Sequence, residues 1–446
     1  AWRQILALIL GVGLAVFYPA LLNLAHPARM NVDAVLALAV AAYSAMRLAA
    51  LVWAGQERPL EMVFWIYVYV FLGVAPALQV QTRAFPWPGL YTSAEITRGF
   101  LIVFVGILSY EIGYAAARSV RDQRVVSWEL TLSGPRAVLL GCIALVASAA
   151  AIQLLGGPEV LFMPRIWFVT EVAGRVGLAS FEVLTSTMRA LPFVAALALW
   201  HVLRESSAQA TNWKRVGIRF IWAACVVTTF IVGNPIFTAR YWFGTIVLGF
   251  VLYRTRWSRN FSGFAWAAGG VFLLTAVFPF ADVFRASLDV EAFRVTSDQS
   301  LNVAIADNLA GNGDFASFQQ VLNVQRLVDH GGTMPGRQFA GAVLFWVPRS
   351  IWPDKPIHTG ELAARFMGYP FTNLEAPLWA EAYVNGGIVA LVVVFVLYGF
   401  GSRRISDRWL AHRKALGGRI SALSILYAIF VPYQIFFLRG NLLNAI

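Results

Sequence analysis

The chain has 446 residues, 59% of them hydrophobic and 13% charged, with a formal net charge of +12 at pH 7. Soluble domains carry about 45–50% apolar and about 25% charged residues, so this much apolar side chain cannot be hidden in a water-soluble particle. The composition is that of a polytopic membrane protein, and it excludes a soluble enzyme, a disulfide-stapled secreted module and a disordered chain.

A hydrocarbon core of about 30 Å needs roughly 20 apolar residues in a helix. Runs of that kind occur near Ile5–Ala25, Asp33–Ala54, Leu60–Val80, Ile96–Ala117 and Ala137–Leu155. They continue at Leu191–Leu203 (reaching back to about Phe181), Val216–Gly233, Ile236–Tyr253, Phe261–Ala281, Gly386–Phe400 and Ile420–Leu438. The expected fold is therefore all-α, with eleven spans and a possible twelfth where a further apolar run starts at Leu442. The first run lacks a small-residue cleavage site and reads as a retained helix. Cys142 and Cys225 lie inside apolar runs, which offers no disulfide framework and no thiol metal site.

The basic residues set the orientation. With the N-terminus cytoplasmic, the alternate loops hold Arg118, Arg121, Arg124 and Arg136, then Arg204, Lys214, Arg215 and Arg219. Next come Arg254, Arg256 and Arg259, then Arg403, Arg404, Arg408, Arg413, Lys414 and Arg419. With Arg3 and Arg58 these make 19 of the 35 basic residues, which is the positive-inside pattern. The +12 charge is thus an orientation signal and not a nucleic-acid footprint.

Two segments then face the opposite side, Gly156–Ser180 and the long Asp282–Val384. The long one holds eleven acidic and seven basic residues, a compositionally separate unit between a bundle over 1–281 and the C-terminal spans over 385–446. A loop of that size is uncommon unless functional. Within it, Asp314 is the expected N-cap of a helix over Phe315–Asp329 that Gly331 stops, and the proline-rich Val347–Pro377 is expected to be coil.

No phosphate-cradling glycine loop, His-rich metal spacing or GxSxG elbow is present. Chemistry is therefore sought in ionisable residues at membrane depth, which are expensive and default to function. Arg240 follows the turn Gly233-Asn234-Pro235 and stands five residues, roughly 7 Å, into the next helix. A guanidinium there suits an anionic, lipid-linked group, because its planar fork pairs with phosphate oxygens. Asp282 and Arg285 stand three apart where the ninth span emerges. The densest cluster runs from Val347 to Glu361 and holds Arg349, Asp354, Lys355, His358 and Glu361. Glu375 and Glu381 flank the apolar return to the membrane, and Arg439 stands just beyond the eleventh span. Arg165 and Arg175 read as surface charges, Glu61 and Glu111 as interfacial or paired with loop arginines, and Arg47 as snorkelling to the cytoplasmic side.

At these residues the chain resembles the Wzy-type polymerases of bacterial O-antigen. The pieces are VPRSIWPDKP (Val347–Pro356), TGE (Thr359–Glu361), APLWAEAYVNGG (Ala376–Gly387) and FLRGNLLN (Phe437–Asn444), with GNPIFTARYWFG (Gly233–Gly244) a further similarity. Together they extend over roughly half the chain. Arg349 and Gly360 are separated by ten residues, as the family's large loop has it. Arg165 reaches Gly177 with eleven between them, and Arg439-Gly440-Asn441 stands where Arg-Gly-Asp is usual.

The resemblance implies a GT-C-like integral membrane glycosyltransferase of the bacterial inner membrane, active at the periplasmic face. Its donor and acceptor are undecaprenyl-pyrophosphate-linked oligosaccharides, with membrane lipid and a chain-length regulator as further partners and no nucleic acid, metal or cofactor. Arg240 and Arg349 are expected to bind pyrophosphate, assisted by Arg285, Arg439, Lys355 and Tyr241. Glu361 and His358 are the expected bases, with Asp282 and Glu381 behind them, in a direct inverting attack. An O-antigen ligase, which uses lipid A core as acceptor, is the nearest alternative enzyme. A lipid-linked oligosaccharide transporter is the non-enzyme alternative, disfavoured by the absence of an internal repeat.

Overall fold

A computed structural model describes residues 2–25, 27, 30–55, 58–119, 133–163, 167–205, 212–255, 261–279, 300–347, 349–415 and 422–445. Among the described residues there are helices and connecting turns and no strand. The chain opens with α1 (Trp2–Ala25), α2 (Val32–Trp53), α3 (Pro59–Thr82), α4 (Ser93–Ser119) and α5 (Gly134–Leu155). It continues with α6 (Leu178–Glu205), α7 (Asn212–Val232), α8 (Arg240–Arg254) and α9 (Ser262–Val277). In the described part of the long loop follow the helices α10 (Leu301–Gly311), α11 (Ser317–Gly331), α12 (Arg337–Val343) and α13 (Thr359–Phe366). The remaining helices are α14 (Leu378–Ala415), whose two helical pieces join at a kink at Gly386 and Gly387, α15 (Ala422–Arg439) and α16 (Leu442–Ala445).

Among the described residues eight helices, α1 to α7 and α14, are long and apolar enough to cross a membrane. The other three expected spans fall on the shorter α8, α9 and α15. α8 has 15 residues, about 22 Å, which is less than a full hydrocarbon core. It begins at Arg240 and not near Ile236, because residues 233–239 form a turn in which the Thr238 hydroxyl donates to the Asn234 carbonyl at 2.7 Å. Arg240 is therefore the first residue of its helix, not one turn inside it.

α3 is the axis of the bundle, and its most apolar stretch is buried throughout. The prolines explain local irregularities. The π-helical stretches Gly13–Phe17, Val68–Val74 and Leu273–Val277 each stand just before a proline (Pro19, Pro76, Pro279), which has no N–H to continue the regular ladder.

The described part of the long loop is not a cap resting on the membrane helices. Phe315, Phe318, Val321, Leu322, Val324 and Leu327 belong to the same hydrophobic core as α3 and α4. Phe318 stacks on Phe100 of α4 at 4.1 Å, and Phe315 stacks on Phe71 at 5.4 Å. Phe71 is the 13th of the 24 residues of α3, so the loop reaches the middle of the bundle. Asp314 does not cap α11. It lies in a short 3-10 turn, Gly313–Phe315, whose N-cap is Asn312, and its carboxylate turns elsewhere. α13 interrupts the segment expected to be coil, in the proline-free stretch between Pro356 and Pro370.

At the end where α3 begins, charged groups interlock. Arg47 does not simply snorkel: it pairs with Glu61 at 2.9 Å and Glu111 at 2.5 Å. Tyr114 donates to Glu61 and accepts from Arg58 at 2.8 Å, while Asp407 takes Arg58 at 2.8 Å and Arg403 at 2.7 Å. These contacts hold α2, α3, α4 and α14 together at what we term the basic end.

Candidate functional site

The two guanidiniums at 240 and 439, from α8 and α15, meet at the carboxylate of Asp314. Arg240 pairs with one carboxylate oxygen through Nη2, and Arg439 with the other at 3.0 Å while its Nε donates to the Asp314 carbonyl at 2.9 Å. Arg439 also pairs with Glu375, whose second oxygen accepts from the Ser317 hydroxyl at 2.8 Å. The side chains are 8%, 14%, 18% and 6% exposed for Arg240, Arg439, Asp314 and Glu375, so this is an interior cluster.

Its local chemistry is determined by helix ends and rings. A cation at the first residue of α8 faces the positive end of the helix dipole, and the Asp314 carboxylate offsets that. The Arg240 guanidinium also lies 4.6 Å from the Phe278 ring and donates to the Phe278 carbonyl at 3.2 Å. Arg439 lies 4.6 Å from the Tyr241 ring. Tyr67 of α3 stands beside Ser317 and Glu375. Burial pushes the Glu375 carboxyl up to about 8, against the opposing pull of Arg439 and Ser317. A buried carboxyl poised near neutrality beside an arginine is the kind of group that clusters at reactive sites.

The residues after Arg439 tie three further segments to the cluster. Asn441 accepts from the Gly360 N–H at 2.7 Å and donates to the Leu374 carbonyl at 2.8 Å. This second bond needs an amide, which Asn441 supplies. Glu381 is buried and satisfied, accepting from the Thr359 hydroxyl at 2.7 Å and from the Leu442 N–H at 3.1 Å.

No protein family, curated protein or solved structure matches this chain.

Of the residues singled out in the sequence, Arg240, Tyr241 and Arg439 come together, with Glu381 next to them through Leu442. His358 and Glu361 are occupied by α13: the His358 Nδ1 accepts from the Glu361 N–H at 3.0 Å as N-cap, and Glu361 pairs with Arg365 at 2.5 Å. Burial pushes the His358 imidazole below its ordinary value, which keeps it neutral and able to accept. Arg349 and Lys355 lie in a turn that they staple themselves. Arg349 is exposed and donates to the Lys355 carbonyl at 2.6 Å and the Pro356 carbonyl at 3.4 Å. Lys355 donates to the carbonyls of Phe345 at 2.5 Å and Val347 at 3.0 Å. Arg175 is exposed beside Gly156. Asp282, Arg285 and Arg165 lie outside the described residues. Among the described residues no three His, Cys, Asp or Glu side chains group closely enough to hold a metal ion.

Two members of the cluster escaped the sequence reading as site residues. Asp314 reads locally as a helix cap, and Glu375 as one of a pair of flanking charges. Their signal was local polarity in an apolar context, Gly313-Asp314-Phe315 and Leu374-Glu375-Ala376, which no spacing rule connects to positions 240 and 439.

Proposed function

We propose that the chain is an integral membrane glycosyltransferase of the Wzy type, polymerising undecaprenyl-pyrophosphate-linked oligosaccharides at the periplasmic face of the bacterial inner membrane. The observation that carries this reading is the meeting of Arg240 and Arg439 on Asp314 in the interior of a multi-pass helical bundle. Paired guanidiniums match the two charged groups of a pyrophosphate, and in a low-dielectric interior they stabilise charge that develops there. The long loop threaded into the bundle brings acidic side chains to the same place, as transfer to a hydroxyl requires. The positive-inside pattern supports a cytoplasmic basic end and a long loop on the opposite side.

In this reading the donor pyrophosphate takes the place of the Asp314 carboxylate on the two guanidiniums. The acceptor sugar hydroxyl attacks the anomeric carbon of the growing glycan. The bond from that carbon to the pyrophosphate oxygen breaks, and its electron pair stays on the undecaprenyl pyrophosphate. The hydroxyl proton passes to a carboxylate, for which Glu375 is the best-placed group, within reach of Arg439 and not committed to a helix cap. Arg349 has the lesser part of holding its loop.

The test is transfer by purified protein in lipid, given one lipid-linked repeat. A ladder of products is expected, with Arg240→Ala and Arg439→Ala slowed by about 10²–10³-fold and Arg349→Ala close to wild type. Full elongation by both of the first two variants overturns the pyrophosphate assignment. A single transfer to another acceptor, with no ladder, moves the reaction to the ligase type.

A further inference from the structure

The turn that presents Asp314 also carries an aromatic surface. Gly313 packs directly beneath Trp87, and a Cβ at that position would lie 2.8 Å from the indole Cζ2. Trp87, half-buried, stacks nearly parallel with Phe371, their centroids 5.9 Å apart and their planes 20° apart, and Phe371 is 48% exposed. Tyr369 stands 6.4 Å from Trp87 on the same side.

These rings come from two loops far apart in sequence, and one buried helix fixes both. On α11, Gln319 grips the backbone of Trp87 at both ends, accepting from its N–H at 2.9 Å and donating to its carbonyl at 2.6 Å. One turn on, Asn323 accepts from the Tyr91 hydroxyl at 2.6 Å and donates to that of Tyr369 at 3.4 Å. Gln319 and Asn323 are completely buried. The neighbouring Gln320 amide nitrogen, also buried, has no partner. An aromatic belt residue at a membrane interface is free to tilt between lipid and water. Trp87 is instead held by a two-point backbone clamp and by a glycine beneath its ring, while Leu90 of the same loop, 87% exposed, is the side chain that projects outward.

We propose that Phe371, backed by Trp87, forms a sugar-stacking subsite that receives the pyranose ring joined to the pyrophosphate. The inference rests on the pyrophosphate reading of Arg240 and Arg439. One residue separates the aromatic surface from Asp314, and one glycosidic oxygen separates a sugar ring from its phosphate. The apolar face of a pyranose, with its axial C–H bonds, suits a flat ring system, and fixed aromatics supply contact area at little conformational cost. Gln319 acts through Trp87, and Asn323 through Tyr369, the ring beside Trp87.

The experiment compares two probes on the full chain in lipid nanodiscs: undecaprenyl pyrophosphate alone, and the same carrier bearing the oligosaccharide repeat from the source cell. Wild type is expected to bind the glycosylated probe more tightly. Trp87→Ala is expected to lose about tenfold on the glycosylated probe and nothing on the bare one, with Trp87→Phe recovering most of the loss. Asn323→Ala is expected to weaken the same probe selectively, with the bare probe unaffected. Equal losses on both probes, or no preference by wild type for the glycosylated one, overturn the subsite while leaving the pyrophosphate reading intact. Binding of neither probe by wild type overturns both. Unfolding midpoints of each variant within the wild-type range certify that binding, not folding, is being read.

Discussion

Removing the Asp314 side chain should destabilise the protein by an amount the geometry sets. Its carboxylate serves two guanidiniums, each less than a sixth exposed, and breaking a buried pair by deleting one partner costs about 3–5 kcal/mol. Arg439 keeps Glu375, and Arg240 keeps the Phe278 carbonyl and ring, which places Asp314→Ala near the lower end, ~3 kcal/mol or about a hundredfold in the unfolding equilibrium. Asp314→Asn keeps the shape and one acceptor, and about half that loss is expected. Reversible unfolding in mixed dodecylmaltoside and dodecyl sulfate micelles, followed by circular dichroism, gives the numbers. The cycle of Asp314→Leu with Arg240→Met should return a coupling of at least ~1 kcal/mol. Because Asp314 competes with phosphate for the same donors, Asp314→Asn should also bind undecaprenyl pyrophosphate more tightly than wild type. A variant that unfolds within about 0.5 kcal/mol of wild type, with additive double-mutant behaviour, would refute the interior ion network.

Glu375 predicts a pH dependence. Its carboxyl is raised from 4.5 to about 8 by burial, so the folded chain holds a proton that the unfolded chain releases. Stability contributed below pH 4.5 is therefore lost as pH rises towards 8, and Glu375→Gln should flatten the unfolding midpoint over that window; an unchanged slope would refute the assignment. Gly113 predicts a packing effect, since a Cβ there would collide with the Val396 carbonyl while one at Gly399 would collide with that of Tyr110. Gly113→Ala should cost about 1–3 kcal/mol in the same micelle assay, and a neutral result would mean that α4 and α14 do not approach so closely.

The helical plan was legible because hydropathy is a local property. Among the described residues each of the eleven apolar runs overlaps a helix, although α8 and α9 prove short where turns and prolines cut them. The basic end was legible in part: the loop arginines stand out in the sequence, but the Arg47 bonds to Glu61 and Glu111 join helices that no spacing rule relates. The site was legible one half at a time. Arg240 and Arg439 are conspicuous cations in apolar runs, whereas Asp314 has the local look of a cap and shows its role only through partners 74 and 125 positions away. The proline-rich stretch misled for a different reason. Density of prolines argued for coil, yet they bracket a window long enough for two turns of helix, and His358 supplies the cap that starts it.

The cluster also imposes an order on how the molecule is made. A ribosome delivers Arg240, Asp314 and Glu375 to the insertion machinery before Arg439, so the first ion pair can close while α15 is still being synthesised. Glu375 must wait through that interval for its guanidinium, and a protonated carboxyl is the form best suited to the wait. Arg439 then acts as a latch, joining segments that were inserted separately, and the residues that follow it fasten Gly360, Leu374 and Glu381 in the same motion.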